Sequence, residues 1–98
     1  FELATGVEVV CLAGHTPNLL GLVVHLEGQT IILPQDCVYT SEIFGPPAKM
    51  SGFMYDSVSF LKSIEKVRNL AKKYNAKVFP AHDWEFFQTM KLAPKYYE

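Results

Sequence analysis

DSVSFLKSIEKVRNLAKKYNAKVFPAHD, residues 56–83, sets the architecture of this 98-residue chain. Val58, Leu61, Ile64, Val67, Ala71 and Tyr74 recur at spacings of three and four, the period of a helix with one apolar face. Asp56 is placed to cap the first turn. Arg68, Lys72 and Lys73 complement the carbonyl end of the dipole, and Asn75 is a natural stop. Lys77 to Pro80 then reads as a brief strand that ends in the polar turn Ala81-His82-Asp83. A helix followed at once by a strand calls for a sheet on which the helix packs.

Upstream, the sheet's other strands are short apolar runs rich in β-branched residues. Val7 to Leu12 precedes Ala13-Gly14-His15-Thr16-Pro17. Leu22 to Leu26 and Thr30 to Leu33 read as a hairpin across Glu27-Gly28-Gln29, whose glycine can take a positive φ, and the second run stops at Pro34-Gln35-Asp36-Cys37. From Cys37 to Tyr55 the pattern dissolves into aromatic and turn residues, with Gly45-Pro46-Pro47 and Ser51-Gly52 as breakers. A loop of that length inside a compact domain suggests a lid or binding loop. Trp84 onward is an amphipathic tail, helical or irregular, broken by Pro94.

Three polar interruptions thus follow three strands, and residues that end neighbouring strands come together in space. His15, Asp36 and His82 are expected to share one site. Two imidazoles and a carboxylate form a transition-metal ligand set, and an aspartate can bridge two cations. Two ions about 3.5 to 4 Å apart polarise a carbonyl and activate a water near neutral pH, which is hydrolysis without a nucleophilic side chain. Three protein ligands fill one open catalytic site; two ions need about twice as many, and no obvious motif here supplies the rest.

Composition narrows the alternatives. With 49% hydrophobic, 13% aromatic and 19% charged residues the chain is expected to fold as one domain with a generous apolar fraction. A net charge of -1, from nine basic and ten acidic residues, gives no electrostatic footprint for nucleic acid or anionic lipid. No run approaches the roughly 20 apolar residues of a membrane span. Cys11 and Cys37 are too few for a disulfide framework and read as free thiols of a cytoplasmic protein. The chain opens on Phe1 with a strand close behind, as expected of a fragment of something longer.

The ordered set resembles the C-terminal half of metallo-β-lactamase-fold hydrolases, most of all the N-acyl homoserine lactonases. It comprises Gly14-His15-Thr16-Pro17 after a strand, Asp36 after the hairpin with Tyr39 three residues on, Ser51-Gly52-Phe53 before the long helix, and His82-Asp83 after the last strand. The resemblance runs from about Val7 to Asp83. It implies an α/β fold in which residues 1–98 form half of a four-layer αβ/βα sandwich, one sheet with the helix on one face. The other face would be apolar and covered by the absent N-terminal half or by a second copy. It implies a hydrolase that opens a lactone, or an ester, by attack of a metal-bound hydroxide. His15 would join upstream ligands on one Zn²⁺ ion and His82 those on the other, Asp36 would bridge, and Tyr39 would steady the developing oxyanion. Asp83 would orient its neighbours rather than bind metal.

Departures accompany the resemblance. The family's His-x-His-x-Asp-His motif is absent, Ala81 stands where relatives usually carry Gly, and Asn18 replaces a frequent Gly. A glyoxalase II-like thioester hydrolase and a non-catalytic interaction module with relic ligands remain alternatives. Plainer readings also stand for single residues. His25, within a strand, is expected to face solvent or bond locally. Cys37, next to Asp36, should point to the opposite face of an extended chain and not to metal. Tyr39 as a structural aromatic in a loop is the plainer alternative. Phe44, Met50, Phe53 and Met54 wall an acyl pocket or simply cover the core, and Arg68, Lys72 and Lys73 form a solvated helix end.

Overall fold

The computed structural model describes residues 1–98. Five strands, β1 (Glu2–Ala4), β2 (Val7–Cys11), β3 (Leu20–His25), β4 (Thr30–Leu33) and β5 (Lys77–Val78), lie side by side in chain order. The first four pair antiparallel, which short turns permit; β5 runs parallel to β4 and so needs a long crossover. That crossover holds the short helix α1 (Ser41–Phe44) and the long helix α2 (Ser57–Tyr74), and α3 (Trp84–Gln88) follows β5. β1 was not expected, because Glu2–Ala4 is too short and too exposed to show an alternating pattern. Gly28 in the hairpin turn keeps an ordinary φ, contrary to expectation; the positive-φ glycines are Gly6, Gly14 and Gly45. No helix is long and apolar enough to cross a membrane.

One face of the sheet meets α2. Val23 pairs with Ile32, both fully buried, and Leu12, Cys37 and Val38 join them against Phe60, Ile64 and Val67. The helix is rotated from its expected register: Phe60, Ser63, Ile64 and Val67 face the sheet, while Val58 and Leu61 are 60% and 44% exposed. Two interleaved stripes exist in this sequence, and the one containing the bulkier Phe60 takes the core. The ends are as read. Asp56 Oδ1 accepts from the amides of Val58 (3.0 Å) and Ser59 (3.2 Å), and Asn75 closes the helix in the left-handed region at φ 49°.

The segment read as a structureless loop is partly built into this core. Val38 is fully buried, Thr40 caps α1, and Ile43, Phe44, Ala48 and Met54 pack on the cluster. Arg68 is not the solvated cation expected. Its guanidinium sits 5.1 Å from the centre of the Phe44 ring and donates to the Phe44 carbonyl, tying α1 to α2. Phe44 and Met54 therefore serve the core, whereas Met50 and Phe53 are 52% and 73% exposed.

The second face of the sheet is half open. Val9, Leu22 and Leu33 are aligned across it by register, as are Val7 and Val24, and all five are only half buried. At its β5 side the C-terminal tail folds over: Phe86 and Tyr97 pack edge-on against Phe79, and Gln29 Nε2 donates to the Glu98 carbonyl (3.0 Å).

Candidate metal centre

His15 is delivered by a turn that only glycine can make. Gly14 has φ 141°, and a Cβ there would lie 2.4 Å from both N and Cα of Phe60. The turn is pinned to the start of α2: Ser63 Oγ donates to the Ala13 carbonyl (2.6 Å), and the amides of Tyr55 and Asp56 donate to the Gly14 carbonyl (both 2.9 Å). The His15 ring, 8% exposed, places Nδ1 at 3.0 Å from the Phe53 carbonyl oxygen. A carbonyl only accepts, so in the neutral ring Nδ1 carries the proton and the Nε2 lone pair is free. Nε2 faces the Tyr39 hydroxyl at 3.3 Å and Asp36 Oδ2 at 3.5 Å.

Asp36 sits on a 3₁₀ turn, Gln35–Cys37, not on extended chain. That turn sends the two neighbours different ways: Asp36 stays accessible while Cys37 sinks into the core, where burial pushes its thiol up to about 12 and leaves it neutral. Cys37 is thus turned into the core, for a different local reason than alternation. The other Asp36 oxygen, Oδ1, lies 2.9 Å from His82 Nε2.

The β5 end carries His82 to the same place. The Ala81 amide donates to the Val38 carbonyl (2.9 Å) and the His82 amide to the Tyr39 carbonyl (2.8 Å), so the two loops continue the sheet pairing beyond β4 and β5. Asp83 locks this arrangement. Oδ2 accepts from the Ser41 amide and Oδ1 from the Phe86 amide, both at 3.0 Å, and these bonds, the Ser41 one foremost, hold its carboxyl below the usual range. Both of its oxygens are thereby engaged by backbone amides. Tyr39 stands edge-on between the imidazoles, 4.8 Å from the His82 ring and 5.4 Å from the His15 ring. Burial, then the Asp36 carboxylate, raise its phenol above the ordinary value, so at neutral pH it is a donor.

His15, Asp36 and His82 therefore meet, but as two pairs sharing a carboxylate. No three His, Cys, Asp or Glu side chains converge on a single point in metal-holding geometry. The donor chemistry, two imidazole nitrogens and a carboxylate, is of the kind a borderline-soft divalent ion takes; His15, Asp36 and His82 would be the residues of this chain to hold one. His25 is elsewhere, bonded locally to Thr30 Oγ1 (3.2 Å) and Glu8 Oε1 (3.3 Å) beneath the Tyr74 ring. The Phe53 carbonyl escaped sequence reading because a backbone acceptor leaves no residue signature. Ser63 left one, a polar residue flanked by core positions of a helix.

No family model matches the chain. It is 34% identical over 100 residues to the N-acyl homoserine lactonase AiiB of Agrobacterium fabrum, which covers 99% of this chain and 36% of that protein. It is 32% identical over 97 residues to an N-acyl homoserine lactonase of a Bacillus species, covering 98% and 38%. Among solved structures, an N-acyl homoserine lactone hydrolase with N-hexanoyl-L-homoserine at its catalytic metal centre superposes with a TM-score of 0.89 at 26% identity, over 99% of this chain and 38% of that one. The hydrolase AbOPH of the β-lactamase superfamily shares the fold at a TM-score of 0.70 and 20% identity, over 84% and 28%. The chain spans little more than a third of the length of the curated relatives it matches.

Proposed function

We propose that this chain, related along its length to the N-acyl homoserine lactonases and folded as a segment of the metallo-β-lactamase sandwich, forms part of a metal-dependent lactonase. One observation carries the reading: the two oxygens of Asp36 each face the Nε2 of a different imidazole, His15 at 3.5 Å and His82 at 2.9 Å. Two divalent ions of the Zn²⁺ kind, when bound, would supply Lewis acidity and an activated water. The chain's own residues do the rest. The Phe53 carbonyl holds His15 in the tautomer that leaves Nε2 free, and Asp83 holds the His82 turn against the Tyr39 loop. Tyr39, a neutral phenol beside both imidazoles, offers its hydroxyl hydrogen to the lactone oxygen on which negative charge develops. The half-open sheet face would be covered by the remainder of a lactonase-length protein, which would also bring the missing ligands. Two unpaired thiols, Cys11 exposed and Cys37 buried, suit the reducing cytoplasm.

The test is elemental analysis of the complete protein carrying Asp36→Ala, alongside a lactone hydrolysis assay. Loss of both ions and of turnover is expected. Retention of two ions per chain would overturn the assignment of Asp36 as the bridge.

A further inference from the structure

A serine in α2 stands out among its neighbours. Ser63 is 7% exposed and sits on the face that Phe60, Ile64 and Val67 pack against the sheet. A hydroxyl in such a position costs free energy unless it is hydrogen-bonded, and inside a helix a common acceptor is the carbonyl four residues back. Ser63 does otherwise: its Oγ donates to the Ala13 carbonyl, 50 positions away in the chain, at 2.6 Å. One turn further along, Lys66 Nζ donates to the Cys11 carbonyl (3.1 Å); one turn before, the backbone of Phe60 leaves no room for a Cβ on Gly14. Residues 60, 63 and 66 thus track the end of β2 and the turn that follows it. Of the groups that hydrogen-bond to the main chain of residues 13 to 15, Ser63 is the only side chain; the others are main-chain groups, the amides of Tyr55 and Asp56 among them.

We infer that Ser63 is a positioning residue for the metal centre: by holding the Ala13 carbonyl it fixes the turn that carries the His15 imidazole and so governs how tightly metal is kept there. The inference rests on the reading of His15 as a metal ligand and adds to it a residue on a different element. The mechanics follow from the turn. Gly14, at φ 141°, lies hard against Phe60, so the turn has Phe60 as its wall and Ser63 as its tether. Without the hydroxyl, the Ala13 carbonyl loses this donor. The turn is then held by the segment before α2 alone, through the Phe53 carbonyl at His15 Nδ1 and the amides of Tyr55 and Asp56 at the Gly14 carbonyl. Metal–ligand distances stay within about 0.2 Å of their ideal values, so even a small drift of the turn reaches the ion. Lys66, exposed and bonded to Cys11 four positions before His15, lacks that leverage.

The test is competition for Zn²⁺ between a chromogenic chelator and the complete protein, run beside thermal melts. Ser63→Ala should surrender its metal at about tenfold lower chelator concentration than the wild type, the lower end of what removing a ligand's support costs. Ser63→Cys, close in size but a weak donor, should fall between the two and carries the test if Ser63→Ala does not fold. Val67→Ala, which opens a cavity one turn further along the same buried face, should melt earlier yet keep its metal as the wild type does. Lys66→Ala should change neither quantity. Wild-type retention of Zn²⁺ in the Ser63 variants, or a loss that Val67→Ala matches, would overturn the positioning role and leave Ser63 an ordinary core hydrogen bond. A wild type that takes up no Zn²⁺ would instead remove the metal-centre reading on which the role rests.

Discussion

Asp36 shows how much one turn decides. On an extended chain it would share its alternation with Cys37; on the 3₁₀ turn it reaches two imidazoles while Cys37 packs in the core. The residue types of the site were legible because three polar turns each ended an apolar run, and that logic needed no contact information. What could not be read was the division of labour by atoms: the Phe53 carbonyl on His15, and the split of Asp83 between Ser41 and Phe86. Asp56, the N-terminal cap of α2, yields a residue-scale prediction. Its hydrogen bond from the Ser59 side chain first, with those from the Ser59 and Val58 amides, holds its carboxyl below the ordinary value of 3.8. A lowered value favours the folded state above that pH and loses the advantage as pH falls through the folded value. Melting temperatures followed from pH 7 down to pH 2 should fall on the acid side. Asp56→Asn should keep most of the cap at pH 7 with a shallower acid-side fall, and Asp56→Ala should lower the melting temperature at pH 7 outright. Equal acid-side slopes in wild type and Asp56→Asn would show that another group is responsible.

At the scale of elements, α2 was readable as a helix with both its ends, yet not in its rotation. Apolar residues at 58, 61, 64 and 67 and at 60, 64, 67 and 71 fit the same period, and the tertiary packing of bulky Phe60 against the sheet and the Gly14 turn selects between them. The choice has a measurable signature. Ile64→Ala should cost about 2 to 5 kcal/mol in denaturant unfolding, since the side chain is fully buried. Leu61→Ala should stay within about 0.5 kcal/mol. Comparable losses would return α2 to the register that the first-turn residues suggested. The crossover from β4 to β5 was misread for a related reason. Short helical turns such as Ser41–Phe44 and single buried residues such as Val38 have no periodicity to betray them, because they are ordered by what they touch.

For the whole molecule, the mismatch between content and burial is the informative quantity. Hydrophobic residues make up 49% of the chain, yet 15 of 98 residues are buried, and Leu20 (55%) remains exposed beside the half-covered Val9, Leu22 and Val24. A sheet with one well-packed face and one half-covered apolar face seeks a fuller cover. The 98 residues expressed alone should therefore self-associate, and light scattering should report a mass above the 11.1 kDa of one chain. A monodisperse monomer that binds no hydrophobic dye would show the face to be self-sufficient.

Asp36 also has a mechanical meaning. His15 near one end of the chain and His82 near the other touch a carboxylate that lies between them in sequence. Ions seated on its two oxygens would act as cross-links closing loops of some twenty and some forty-five residues, which removes freedom from the unfolded chain much as covalent staples do. Chelating buffers would then behave toward this protein as mild denaturants, and loss of shape would accompany loss of catalysis.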